Sequence, residues 1–270
     1  MVNILQTEFF RLKKSVLFWS LFAVCAILPL ISVLLELAVF SGLSILDIGV
    51  EYDTADIVNA LNPAGQALTS IPNLSADFQL FALICTSIFL CKEFSGGTYR
   101  NMILANRSRS EVYFSFLLMA VTVGSTYLGV AYVSTLLFNG AIFGFGMMTA
   151  TEVVAACVIA LALGLVSVIF MQTLMCMFMF FTRKLSVSLI CPLLIGIIAP
   201  SVIYSFIETF ATLGMISVTD TSWIPLYNLN LLDLTNIDGA LIGKILLYLV
   251  PLSALFGYLG WVLFRKADLK

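Results

Sequence analysis

The sequence predicts an all-α integral membrane protein with six transmembrane helices, and three observations carry that prediction. Apolar residues make up 61% of the 270 residues and charged residues only 10%. The mean hydropathy is +1.09, whereas a water-soluble domain of this size needs far more polar surface. The apolar residues also form runs long enough to cross about 30 Å of hydrocarbon as helices, with most charges between the runs.

The chain begins with a predicted amphipathic helix, residues 1–14, followed by the first span. Leu5, Phe9 and Leu12 recur at helical spacing, and the basic residues lie off this stripe. That pattern is typical of a helix lying in the membrane interface; a frayed basic tail is the alternative. The next apolar run, about residues 15–40, is too long for a signal-peptide core, so we expect it to be retained as a span.

Five more spans and two acidic segments follow. The spans are predicted at about residues 77–94, 112–138, 153–181, 185–206 and 240–264, the fifth broken by prolines. Segments 41–76 and 207–239 contain acids but no lysine or arginine, which indicates the outer side. The first is expected to form one or two short amphipathic helices or a disordered loop, and the second a partly re-entrant segment.

The positions of the basic residues predict the orientation. In this arrangement twelve of the thirteen lysines and arginines fall on one side, with Lys244 as the exception, and eight acids fall on the other. Positive charge marks the cytoplasmic side of a membrane protein. We therefore expect a multi-pass protein of the cell membrane, most consistent with a bacterial plasma membrane, with both termini in the cytoplasm.

One basic loop, residues 92–111, separates the second and third spans and faces the cytoplasm in this topology. Its sequence, KEFSGGTYRNMILANRSRSE, holds four of the thirteen basic residues. Gly96 and Gly97 permit a sharp turn, and the apolar residues of segment 99–105 are spaced for a short surface helix. We interpret the loop as a docking surface for a soluble partner.

The end of the loop carries a helix-start signal. Ser108 and Glu111 have the Ser-x-x-Glu spacing of a capping box, in which the two side chains bind the first free amides of a helix. This motif predicts that the third span begins at the loop, and its role is structural.

The loop resembles the E-x-x-x-G-T…S-R signature of ABC-2-type permeases, through Glu93, Gly97 and Thr98 followed by Ser108 and Arg109. The predicted architecture is also similar: those permeases have an elbow helix, six spans, a cytoplasmic coupling helix between the second and third spans, and outer re-entrant helices. The resemblance implies a permease that pairs with itself or a homologue and works with two separate ATP-binding subunits. ATP and magnesium would bind to those subunits, with no cofactor bound by this chain. The outer segment 41–76 is longer than in the plainest members, which leaves the substrate open.

The resemblance also implies which residues meet the ATPase. Glu93 is expected to pair with Arg100 or Arg107. The residues expected in coupling are Glu93, Gly97, Thr98, Tyr99, Arg100, Met102, Ile103 and Arg107 in the loop, with Arg183 and Lys184 in the tight second inner loop.

Catalytic and metal chemistry find little support in the sequence. The chain has no histidine and six isolated cysteines, which argues against a metal site. Hydrolase motifs are missing, and the nearest phosphate-loop pattern, at residues 239–245, is one residue short and lacks Ser or Thr. We therefore expect no enzymatic activity in this chain and no nucleic acid partner.

The apolar interior favours export of a hydrophobic or amphipathic substrate, such as an antimicrobial peptide, an antibiotic or a lipid-like compound. Two alternatives remain: an ion-coupled secondary carrier, and an ATP-driven exporter of a polysaccharide. The tryptophans lie near span ends, as interfacial anchors rather than sugar-stacking rings. Candidate residues for a substrate route are Gln172, Thr173, Met175 and Phe178, although interhelical hydrogen bonding is the favoured interpretation of the first two.

Overall fold

The computed structural model describes residues 2–45, 63–104, 107–143, 150–212 and 239–266. Within these ranges all regular structure is helical and there is no strand, so the all-α prediction is confirmed. The helices are α1 (Val2–Lys13), α2 (Val16–Ile45), α3 (Pro63–Ser95), α4 (Thr98–Leu104), α5 (Arg109–Phe143), α6 (Ala150–Thr182), α7 (Leu185–Leu193), a π-helical segment (Leu194–Ile198), α8 (Ala199–Thr212) and α9 (Gly239–Lys266).

Six stretches of the described helices are long and apolar enough to cross a membrane, which supports a multi-pass membrane protein. This confirms the predicted class. The stretches are Val16–Leu35, Phe78–Ser95, Arg109–Phe138, Val153–Thr182, Leu185–Ala211 and Gly239–Lys266.

The two acidic segments are described only in part. Residues 63–76, in the segment expected to form short helices or a disordered loop on the outer side, are helical and form one continuous helix, α3, with the second span. Residues 46–62 and 213–238 lie outside the described ranges, and these include most of the predicted re-entrant segment, 207–239. Residues 207–212 belong to α8.

Helices α5 and α6 form the centre of the bundle. Helix α5 packs against α2, α3 and α6, and α6 packs against α3, α7 and α9. Tyr127 of α5 is fully buried; its ring stacks on Phe18 of α2 at 5.4 Å between centroids, and its hydroxyl donates to the Phe18 carbonyl at 2.9 Å. A buried tyrosine needs such an acceptor, so this contact fixes α2 against the centre.

A glycine permits the close packing of α9. A Cβ atom added to Gly260 would lie 2.6 Å from the Tyr113 hydroxyl oxygen and 3.2 Å from the Met177 Cα atom. Tyr113 in turn donates a hydrogen bond to the Gly257 carbonyl at 2.8 Å. Small residues let membrane helices approach closely enough to gain such contacts, and here they join α9 to α5 and α6.

The sequence suggested that prolines break the fifth span, but the structure shows no break there. The span remains helical from Leu185 to Thr212 but widens into the π-helical segment between Pro192 and Pro200. At the end of this segment the Ala199 amide donates to the Leu194 carbonyl five residues earlier. A π turn shifts the hydrogen-bond register by one residue and keeps the helix continuous.

Candidate functional site

Most of the described basic residues lie at one end of the bundle. The ends of four helices meet there, because α1 contacts the end of α3, and Phe180 near the end of α6 packs on Phe94 and Phe264 at 5.3 and 4.7 Å between centroids. Lys244 lies near the opposite end of α9. We call this end the basic end; its basic residues are Arg11, Lys13, Lys14, Lys92, Arg107, Arg109, Arg183, Lys184, Arg265 and Lys266.

An ion pair joins α1 to the start of the loop. The Arg11 Nη1 atom donates to Glu93 Oε2 at 2.7 Å, and the Glu93 side chain is only 2% exposed. The pairing expected with Arg107 is wrong: Arg107 is exposed on the loop and forms no ion pair with Glu93. The Arg100 side chain lies outside the described structure. Glu93 therefore fixes the end of α3 to the first helix.

A second carboxylate, Glu8, shares the same arginine. Its side chain is completely buried, and Arg11 Nη1 lies 3.6 Å from Glu8 Oε1. Neither oxygen of Glu8 has a hydrogen-bond partner among the described residues. Burial, and then the negative charge of Glu93, raise the pKa of Glu8 from 4.5 to about 7, while Arg11 acts in the opposite direction.

The turn after α3 depends on glycine. Gly97 has φ +66°, a conformation that glycine adopts without strain. Its carbonyl accepts a hydrogen bond from the Asn101 amide at 3.1 Å, at the start of α4. The glycine turn and the short loop helix predicted from the sequence are thus confirmed, with the helix at Thr98–Leu104.

Helix α4 has a side that packs against the core and a side that is exposed. Met102 and Ile103 are half-buried and pack against the core. Leu104 is 75% exposed, and Arg107 is exposed just beyond it. For Tyr99 and Arg100 only the backbone is described, within α4. An apolar side chain beside an exposed cation is a surface suited to a protein partner.

The far end of the loop is bound to α9. The Glu111 amide donates to Ser108 Oγ at 3.2 Å, which is one of the two predicted capping-box bonds. Arg109 donates to the Arg265 carbonyl at 2.7 Å, and the Trp261 indole donates to Ser110 Oγ at 3.0 Å. A cationic side chain on the last carbonyls of a helix is favourable, so the start of α5 is attached to the end of α9.

The turn between α6 and α7 is as tight as the sequence indicated. Thr182 ends α6 and Leu185 begins α7. Arg183 has φ +55°, unusual for a residue other than glycine, and Lys184 is exposed. Both residues lie at the basic end.

The candidate substrate-route residues lie inside the protein. Gln172 is 1% exposed and accepts a hydrogen bond from Thr86 of α3 at 3.1 Å, so its predicted interhelical bond is confirmed. Thr173 is buried and donates to the Phe170 carbonyl of its own helix. Met175 is fully buried and Phe178 half-buried. The bond between Thr86 and Gln172 links α3 and α6 within one chain.

Sequence reasoning did not identify Glu8 and Arg11 as site residues. A signal was present, because Glu8 lies three residues after Leu5 and four before Leu12, in the apolar stripe of α1. An acid on the buried face of an amphipathic helix needs a partner or a proton. The pattern therefore pointed to a charged group opposite α1.

The described residues contain no group of three potential metal ligands, and their cysteines are all free. No protein-family model matches the chain, and no curated protein matches it.

Proposed function

We propose that this chain is the membrane-spanning permease subunit of an ATP-driven exporter, and that the basic end docks a separate ATP-binding subunit. The observation that carries the proposal is the double attachment of the loop. Its start is held to α1 by Glu93 and Arg11, and its end is held to α9 by Arg109. A force applied to α4 therefore reaches both sides of the bundle.

The distribution of charge supports a cytoplasmic position for the basic end. Four helix ends and their turns bring ten basic residues together there, namely Arg11, Lys13, Lys14, Lys92, Arg107, Arg109, Arg183, Lys184, Arg265 and Lys266. Excess positive charge is retained on the cytoplasmic side. The loop would then lie where a soluble ATPase and its nucleotide are present.

The partners follow from the same proposal. Two ATP-binding subunits would carry ATP and magnesium, and a second permease chain, identical or related, would complete the transporter in the plasma membrane. The apolar interior suits an amphipathic cargo, such as a cationic peptide, an antibiotic or a lipid-like compound. The resemblance of residues 93–109 to ABC-2-type permeases adds to this proposal.

The test is coupled transport in proteoliposomes that contain the chain together with an ATP-binding subunit. We expect ATP-dependent efflux of an amphipathic peptide. Glu93→Ala and Arg109→Ala should lower efflux per ATP hydrolysed, because each detaches one end of the loop. Lys244→Gln, which removes a charge at the opposite end, is the control. Efflux driven by an ion gradient without ATP would instead support a secondary carrier.

A further inference from the structure

Glu8 is a buried carboxylate in an incomplete ion cluster. Its side chain is 0% exposed, and neither oxygen accepts a hydrogen bond from any described group. Its nearest cation is Arg11 Nη1 at 3.6 Å, but that atom donates to Glu93 at 2.7 Å. Two buried carboxylates thus share one guanidinium that is itself 43% exposed.

Among the described side chains, the neighbouring helices bring no second cation to Glu8. Helix α3 contributes Glu93 and the exposed Lys92, and Val16–Leu35 of α2 contains no charged residue. Helix α5 contributes Glu111 and Arg109, and Arg109 donates to the Arg265 carbonyl. The charges that act on Glu8 are therefore Glu93, which opposes its ionisation, and Arg11, which favours it.

A proton would complete this cluster. When Glu8 is ionised, a buried negative charge remains without a donor, which is costly. When Glu8 is protonated, its buried charge and the repulsion between it and Glu93 disappear, and Arg11 is left to pair with Glu93 alone. Both changes strengthen the contact between α1 and α3.

We propose that Glu8 is a positioning residue that takes up a proton when α1 packs against α3, so that proton binding holds Arg11 on Glu93 and fixes the start of the loop. The packed form binds the proton more tightly than the detached form. The contribution of Glu8 to packing is therefore fully present below pH 4.5, the ordinary pKa, and is lost as pH rises through about 7.

This inference concerns the packing of α1, and it stands whether or not the loop docks an ATPase. The test is amide hydrogen exchange of the intact chain in lipid nanodiscs at pH 6 and pH 8, corrected for the intrinsic effect of pH on exchange. We expect protection of residues 2–13 to fall by about tenfold or more at pH 8. Protection of α5 should stay constant, which shows that the bundle remains folded.

Two variants in the cluster and one control variant make the test specific. Glu8→Gln imitates the protonated side chain, and should keep α1 equally protected at both pH values. Glu93→Gln removes the repelling charge and should move the transition to lower pH. Glu111→Gln, which changes an acid outside the cluster, should behave as the wild type. Equal protection of wild-type α1 at both pH values would overturn the proposal, as would unchanged pH dependence in Glu8→Gln or an unchanged midpoint in Glu93→Gln.

Discussion

Arg11 and Glu93 form an ion pair, with 2.7 Å between Nη1 and Oε2, across 82 residues of sequence. The pair joins a helix at the N-terminus of the chain to the residue that precedes the loop turn. The two partners are not equivalent, because Arg11 also lies near a second carboxylate, Glu8, whereas Glu93 pairs with Arg11. Removing Arg11 and removing Glu93 should therefore lower the free energy of unfolding by different amounts.

Removing the arginine should be more destabilising than removing the glutamate. Arg11→Ala leaves Glu8 and Glu93 buried together with no described cation nearby, and should lower the free energy of unfolding by about 3 kcal/mol. Glu93→Ala lets Arg11 turn to Glu8 or to water, and should cost about 1 kcal/mol. Thermal unfolding in nanodiscs at pH 8 measures the difference, with Arg107→Ala as the exposed control. Equal losses for the two variants would contradict this description of the cluster.

The close contact at Gly260 predicts that two glycine substitutions in α9 differ in their effect on stability. Gly260→Ala places a methyl group 2.6 Å from the Tyr113 hydroxyl oxygen and 3.2 Å from a backbone atom of α6, and should destabilise by about 1–3 kcal/mol. Gly243→Ala in the same helix meets nothing within 4 Å, and should be neutral or slightly stabilising. Melting temperatures of the two variants in detergent test this. If Gly260→Ala were as stable as Gly243→Ala, α9 would not pack as described.

The orientation of the chain can be measured directly. In a variant without native cysteines, a cysteine at Ser95 or Ser186 should react with a membrane-impermeant thiol reagent only from the cytoplasmic side. A cysteine at Ser44 or Thr221 should react from outside. The side chains of Ser95 and Ser186 are exposed in the structure, so burial should not prevent their labelling. Labelling of Ser95 from outside would reverse the topology.

The substrate class is testable in cells. Cells that produce this chain with its ATP-binding subunit should tolerate more of a cationic antimicrobial peptide than cells with the Glu93→Ala variant, because detaching the loop should stop export. The measurement is the inhibitory concentration across a panel of peptides, with Lys244→Gln as the matched control. Equal sensitivity together with altered surface glycan would favour polysaccharide export instead.

Local features of this protein were predictable from its sequence. The six membrane-length helices follow from apolar runs, because backbone groups in hydrocarbon must form their own hydrogen bonds. The turn at Gly97 and the helix Thr98–Leu104 follow from glycine and from the spacing of apolar residues over one or two turns. Each of these depends on neighbours in sequence.

The features that the sequence did not predict depend on packing between distant segments. Nothing near Glu93 in sequence indicates that Arg11, 82 residues away, is a partner. The sequence predicted short helices or a loop in segment 41–76, but not that the helix beginning at Pro63 runs without a break into the second span. The π-helical segment between Pro192 and Pro200 was likewise not apparent, since proline predicts a break but not how the chain avoids one.

The most direct measurement of the central claim is site-specific photocrosslinking in the native cell from position 104. Leu104 is 75% exposed beside Arg107 on the proposed docking surface. A photoreactive residue there should form a crosslink to an ATP-binding protein, identified by mass spectrometry and by its binding of ATP. The same residue at Leu247, exposed along α9, should not. The absence of any nucleotide-binding protein among the position-104 products, or the same product from both positions, would contradict the account.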